Sequence, residues 1–238
     1  MGFRVGRVEA VILAGGQGRR LLPHTAEIPK PLVPVGDRPI VEILLGQLKK
    51  AGVTRVHMAV NHLADMIESA LGDGSRLGLE IRYSHEPAPL STVAPLKLIP
   101  DLPDNFLVIN GDILTDLDVG RLYDLHTSKG VALTVATHAR SETIDYGVIT
   151  TGPDNVVRGF AEKPHYDFVV SMGVYVFARR LLTVVPEAVP YGFDDLMAEL
   201  LKNGEPVLTC PYDGYWLDVG RPADYEQAQR DITTLDFL

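Results

Sequence analysis

Val8-Glu9-Ala10-Val11-Ile12-Leu13-Ala14-Gly15-Gly16-Gln17-Gly18-Arg19-Arg20-Leu21 is an apolar run that breaks into glycines and then into cations. Apart from Glu9, residues 8–13 offer no polar side chain. A strand buried on both faces reads this way, and such strands belong to parallel sheets covered by helices. A glycine-rich loop after such a strand exposes backbone N–H groups in a concavity that suits phosphate oxygens. Arg20, and Lys30 in the following Pro29-Lys30-Pro31-Leu32, supply fixed cations for a multiply charged ligand. Two other phosphate loops are excluded by their letters. A dinucleotide loop wants G-x-G-x-x-G, but Gly16-Gln17-Gly18 runs on into Arg19, Arg20 and Leu21. A P-loop wants Gly-Lys-Ser/Thr, which occurs nowhere.

Outward from this loop, strand and helix patterns alternate. Residues 40–51 carry apolar side chains at helical spacing and stop at Gly52; 53–60 reads as a strand and 63–71 as a helix ended by Gly72. A short strand at 79–83 and another at 106–109 follow, the second running into Asn110-Gly111-Asp112. Asp118 caps a helix over 119–128, with Asp116 beside it as a helix-start residue, and 131–137 returns as a strand. The pattern then changes. Residues 147–151 and 156–162 form a hairpin about Pro153-Asp154-Asn155, and 169–177 is a valine-rich strand. Helices are expected at 179–185 and 194–203, strands at 207–211 and 215–219, and a closing helix at 223–233. The expected fold is α/β: a mixed, mainly parallel central sheet sandwiched by helices, with a hairpin lid, in a single domain over 1–238.

Composition narrows the function. The 238 residues are 46% apolar, enough for a sizeable core, and the net charge is −9 with only 22 Lys+Arg. No basic block offers a face for nucleic acid. The single cysteine, Cys210, excludes an internal disulfide framework, and the seven histidines stand at no metal-binding spacing. No stretch approaches the ~20 apolar residues of a bilayer span, so a cytoplasmic protein without membrane contact is expected.

The run from Leu13 to Leu21 with Pro29-Lys30-Pro31-Leu32 resembles the opening signature of the sugar nucleotidyltransferase family, L-A-G-G-x-G-T/S-R-L…P-K-P. The resemblance continues in family order through Asn110-Gly111-Asp112, Tyr146-Gly147-Val148, Phe160-Ala161-Glu162-Lys163-Pro164 and Tyr215-Trp216-Leu217-Asp218-Val219-Gly220-Arg221-Pro222. It implies a Rossmann-like nucleotidyltransferase fold of the GT-A type, with a nucleotide-binding front half at about 1–137 and a sugar-binding back half at about 138–238. It implies transfer of a nucleotidyl group from a nucleoside triphosphate to a sugar 1-phosphate, with Mg2+ as cofactor. Arg20 then stabilises the triphosphate and the leaving pyrophosphate, and Lys30 sits beside the phosphates. Asp112 and Asp218 hold the metal. Leu13, Ala14, Gly15, Gly16, Gly18 and Arg19, with Glu86, Ser91 and Thr92, form the nucleotide side. Tyr146, Gly147, Glu162, Lys163, Met172 and Gly173 form the sugar side, Lys163 engaging the sugar phosphate. An ionised sugar phosphate needs no general base, which fits the lack of a Ser/His/Asp or Cys/His set.

Three departures from the family pattern stand out, and the latter two bear on specificity. Arg19 replaces a small hydroxyl residue, Ser91-Thr92-Val93-Ala94 replaces Gly-Thr-Ala-Gly, and Ser171-Met172-Gly173 replaces the usual Asn-x-Gly or Ala-Gly. The chain most resembles short single-domain members that activate mannose- or heptose-type sugars with GTP. GTP is therefore expected as donor. The bulkier Ser91, Val93, Ala94 and Met172 point to a sugar other than plain glucose 1-phosphate. A uridylyl- or thymidylyltransferase is the alternative within the family. Outside it stand a glycosyltransferase, disfavoured by the two Pro-flanked lysine blocks, and a regulatory subunit that binds nucleotide sugars without turnover. The oligomeric state is left open, a homodimer included.

Overall fold

The computed structural model describes residues 8–235; the outermost residues of the expected 1–238 domain lie outside it. The apolar run is β1 (Glu9–Ala14). Its alternation splits it between two cores, Ala10, Ile12 and Ala14 on one face of the sheet and Val11 on the other. A tiny hairpin, β2 (Pro34–Val35) and β3 (Arg38–Pro39), leads into α1 (Ile40–Lys50). There follow β4 (Arg55–Val60), α2 (Ala64–Leu71), β5 (Glu80–His85), β6 (Asn105–Asn110) and β7 (Ile113–Thr115). Next are α3 (Val119–Lys129), β8 (Leu133–Thr143), β9 (Gly147–Thr151), β10 (Val157–Glu162) and β11 (His165–Ala178). The chain closes with α4 (Phe193–Lys202), β12 (Val207–Pro211), β13 (Trp216–Asp218) and α5 (Pro222–Asp231).

Seven strands form one sheet in the order β12-β8-β11-β6-β1-β4-β5. All run the same way except β11, which is antiparallel to both neighbours. The sheet is thus mixed and mainly parallel, as expected. In α1, Val41, Leu44, Leu45 and Leu48 fall at helical spacing and pack with Ile67 of α2 and Leu122 of α3 on one face. Leu196 and Leu200 of α4 cover the other face, against Val108, Phe177 and Val135. A third cluster, with Leu21, Ile43, Leu114, Val219 and Ala228, anchors the loop after β1 to β7, β13 and α5.

The expected elements are present with shifted ends, and the shifts have causes. Asp118 caps α3 by accepting from the Arg121 backbone N–H at 3.1 Å. Residues 179–185 were expected as a helix but make only a short 3-10 turn, Arg179–Thr183. The β8 and β11 strands run well beyond 131–137 and 169–177. Their extra length, Thr137–Thr143 against Ser171–His165, leaves the sheet as a two-stranded arm carrying the β9–β10 hairpin. Arg140, Ser141 and Glu142 make that stretch polar on both faces, so it carries no period-2 signal. A register shift between Ser171 and Tyr175 marks where the arm departs. Gly173 sits there at φ 73°, and a Cβ on it would come 2.6 Å from Asn110 Nδ2, so glycine is required.

Candidate active site

The loops that carry the candidate residues leave the carboxyl ends of β1 and β6, adjacent parallel strands. Open α/β sheets bind ligands at that edge. The glycine loop turns at Gly18, φ 62°, where a Cβ would press on Thr25 at 2.9 Å. The Thr25 hydroxyl donates to the Gly18 carbonyl at 2.8 Å and holds the turn. Gly111 N–H donates to the Leu13 carbonyl at 3.0 Å, lashing the two strand ends together.

Asp112 follows directly. Asp218 comes from 106 residues further along, carried by β13, which pairs antiparallel with β7 in the register Asp218↔Ile113. The Val219 N–H donates to the Asp112 carbonyl at 3.0 Å. Lys30 Nζ donates to Asp112 Oδ2 and lies 3.9 Å from Asp218 Oδ1. One oxygen of each carboxylate, Asp112 Oδ1 and Asp218 Oδ1, is buried with no hydrogen-bond partner. Burial pushes the Asp218 carboxyl above its ordinary range, and the nearby Asp112 charge adds to that; Lys30 and Arg20 pull the other way. Among the described residues no three His, Cys, Asp or Glu side chains could hold a metal together. Two carboxylate oxygens without a hydrogen-bond partner are the donor type that would suit a hard cation taking its other ligands from water and phosphate.

Two clefts meet at this cluster. The first, of about 560 Å³, is lined by Leu13, Gly15, Gly16, Arg19, Glu86, Ser91 and Thr92, with Asp112 at its end. Seven of the nine residues expected on the nucleotide side therefore share one space. Ala14 is buried in the core, and Gly18 shapes the loop without lining the cleft. Gln17 and Asn110 line it too; both lie inside motifs the sequence already showed. Glu86 Oε2 accepts the Leu90 N–H at 3.0 Å, and burial raises its carboxyl above the usual range. Arg19 Nε donates to Gln17 Oε1 at 2.7 Å.

The second cleft, of about 380 Å³, lies on the far side of Asp218, between the arm and the start of α5. Arg20 reaches into it, close enough that a Cβ on Gly220 would lie 3.6 Å from its guanidinium. The residues expected on the sugar side are placed differently. Tyr146 is 78% exposed on the arm, and Lys163 is ion-paired with Asp145 at 2.6 Å. Gly147 and Glu162 pair with each other across the β9–β10 hairpin. None of these four lines either cleft. Met172 is 1% exposed in the core, and only its carbonyl is used, accepting from Trp216 Nε1 at 2.9 Å. Val93 and Ala94 are buried likewise, so of the departing residues Arg19 and Ser91, the latter with its neighbour Thr92, meet the nucleotide cleft. Arg140, which no motif marked, and Arg221, inside the last motif block but given no role there, line the second cleft.

Over residues 9–234 the chain matches the nucleotidyl transferase family. It is 34% identical to a UTP–glucose-1-phosphate uridylyltransferase from Synechocystis, over 97% of this chain and 64% of that one. It is 32% identical to the mannose-1-phosphate guanylyltransferase catalytic subunit beta of Drosophila pseudoobscura, over 91% of this chain and 60% of that one. The structure of HddC from Yersinia pseudotuberculosis superposes with a TM-score of 0.73 at 26% identity, covering 94% of this chain and 99% of that one. The chain thus spans less than two thirds of the length of the two enzymes. With its glycine loop, its lysine and its two carboxylates gathered at one strand edge, the chain belongs to the nucleotidyl transferase family.

Proposed function

We propose that this chain transfers a nucleoside monophosphate from a nucleoside triphosphate, GTP by preference, to a sugar 1-phosphate and releases pyrophosphate. The observation that supports this reading is Lys30 held between two carboxylates, each with a partnerless buried oxygen, where two clefts meet. In the reaction an oxygen of the acceptor phosphate forms a bond to the α-phosphorus, and the bond from that phosphorus to the bridging oxygen breaks. The electron pair leaves with pyrophosphate. Both substrates are anions, so the task is positioning and charge stabilisation. In this reading the backbone N–H groups of 15–18 and Lys30 would face the triphosphate, and Arg20, in the second cleft beside Asp218, would reach it across the carboxylate pair. A sugar phosphate is ionised near neutral pH, its second pKa being about 6, so no side chain has to remove a proton. Asp112 and Asp218 are the residues that would hold Mg2+, and the ion would supply charge neutralisation to the phosphates.

The guanine preference rests on Glu86, whose carboxylate sits in the nucleotide cleft with Oε1 free of the Leu90 bond. A carboxylate only accepts hydrogen bonds, and guanine offers two adjacent donors, N1–H and N2–H2, where uracil and thymine offer one. The similarity to a uridylyltransferase supports a second reading, with UTP as donor. A panel of nucleoside triphosphates against mannose, heptose and glucose 1-phosphates, read by pyrophosphate release, separates the two. GTP should lead, and Glu86→Gln should lower its kcat/KM by about 10- to 100-fold, the 1–3 kcal/mol of a good base contact. A pyrimidine nucleotide ahead of GTP by about tenfold, ~1.4 kcal/mol, replaces the guanylyl reading with the uridylyl one.

A further inference from the structure

The ladder that brings Asp218 to Asp112 is three pairs long, Trp216↔Thr115, Leu217↔Leu114 and Asp218↔Ile113, and it stands apart from the seven-stranded sheet. A strand pair that short has few bonds with which to hold its register. A slip of two residues keeps every side chain on its own face, yet it would carry Asp218 about 7 Å along the strand. One backbone bond closes the carboxylate end, from the Val219 N–H to the Asp112 carbonyl at 3.0 Å. The opposite end needs its own tie.

Thr115 supplies it. The residue is 3% exposed, and its hydroxyl is used in both directions. It donates to the Tyr215 carbonyl at 2.8 Å and accepts the Leu117 N–H at 3.2 Å. The same Tyr215 carbonyl accepts the Asp116 N–H at 3.3 Å, so two bonds from the end of β7 fix where the chain enters β13. The Thr115 carbonyl in turn accepts from the Gln47 side-chain amide, which ties β7 to α1. Other anchors hold side chains around the ladder. Tyr212 Oη donates to Asp116 Oδ1, Tyr215 Oη donates to Asp231 Oδ2 of α5 at 2.9 Å, and Trp216 Nε1 bonds the Met172 carbonyl of β11. Among the described residues, only the Thr115 hydroxyl joins a side chain of β7 to the main chain entering β13. Thr115 lines neither cleft, so any effect it has on the chemistry passes through the carboxylates.

We propose that Thr115 is a positioning residue: its hydroxyl, backed by Gln47, locks the register of β7 against β13 and so sets the spacing of Asp112 and Asp218. The inference rests on the reading of that pair as the metal site, and its test needs no turnover. Trp216 is the one tryptophan in the sequence and stands two residues before Asp218, so intrinsic fluorescence reports from the ladder. Mn2+, which takes the same class of ligands as Mg2+, should quench that fluorescence saturably, and Mg2+ should compete. Thr115→Val keeps the shape and loses both hydroxyl bonds. It should weaken Mn2+ affinity about 10-fold, at the low end of what outer-shell partners of a metal carry, while Thr115→Ser stays within about twofold of the parent. Hydrogen exchange gives a readout free of metal. The Val219 N–H should exchange faster in Thr115→Val, while the amides of β1 keep their protection. Should Thr115→Val not fold, Gln47→Leu carries the same comparison, since it removes only the tie to the Thr115 carbonyl. A folded Thr115→Val chain that binds Mn2+ as tightly as the parent overturns the proposal. So does a Thr115→Ser chain as impaired as Thr115→Val, or protection lost equally in β1 and at Val219, which is the mark of an ordinary core residue. A parent whose fluorescence Mn2+ leaves unchanged overturns the metal reading instead, and the exchange of Val219 then decides the register lock by itself.

Discussion

Arg20 and Arg19 are neighbours with the same charge, and the structure gives them different work. Arg19 is tied to Gln17 at the rim of the nucleotide cleft. Arg20 lies over Gly220 beside Asp218, where on the proposed reaction it would meet the charge of the leaving pyrophosphate. Arg20→Ala should lower kcat about 100-fold, ~3 kcal/mol of barrier, while Arg19→Thr does far less. Steady-state kinetics with saturating donor check this, and a near-normal kcat in Arg20→Ala removes the residue from the chemistry. Asp112→Asn and Asp218→Asn each take a charge from the pair that would hold Mg2+. Each should shift the magnesium concentration for half-maximal activity upward by at least tenfold, read from a metal titration at fixed substrates. Unchanged magnesium dependence in either variant excludes that carboxylate as a ligand. These residues were legible in the letters because each sits inside a local motif. The environment of Met172, Val93 and Ala94 was not. Burial is a property of the packed chain, and their bulk went into the core instead of the pocket.

At the scale of elements, β7 and β13 explain how Asp112 and Asp218 meet. The strand expected at 215–219 holds β13, but β7 is three residues long and too short for any periodicity, so the sequence showed both carboxylates without the ladder that joins them. The long β1, β6 and α1 were legible because each buries a full repeat of its pattern. The arm was not, since its outer half is polar and is held by backbone pairing and by polar cross-strand bonds such as Ser141 Oγ to Asp167 Oδ1, not by a buried apolar repeat. The α3 helix is latched to the sheet by His126, 1% exposed, whose ring nitrogens meet Thr134 Oγ1 at 2.9 Å and Asn105 Oδ1 at 3.1 Å. Burial pushes the imidazole down to about 4. The folded chain thus keeps it neutral while the unfolded chain takes up a proton near pH 6.5. The unfolded state binds more protons between those values, so stability should fall as pH drops from about 6.5 toward 4. Above pH 6.5 this contribution is flat. Urea unfolding across that range checks it: a His126→Gln variant should show a shallower slope than the parent. Equal slopes would show that His126 does not carry the acid sensitivity.

The whole molecule is a sheet edge between two clefts, with Arg19 on one side, Arg20, Arg140 and Arg221 on the other, and a carboxylate pair at the seam. With a net charge of −9, local cations are what would offset the overall field for an anionic ligand. The arrangement accounts for transfer between two bound anions better than for hydrolysis of one. Label transfer tests that claim most directly: the chain is incubated with Mg2+, a sugar 1-phosphate and GTP labelled at the α-phosphorus. The account predicts that the label moves into a nucleoside diphosphate sugar, that unlabelled pyrophosphate appears in equal amount, and that both need the two substrates together. Label released as free nucleoside monophosphate, or retained in the triphosphate whichever nucleotide and sugar 1-phosphate are offered, would contradict it.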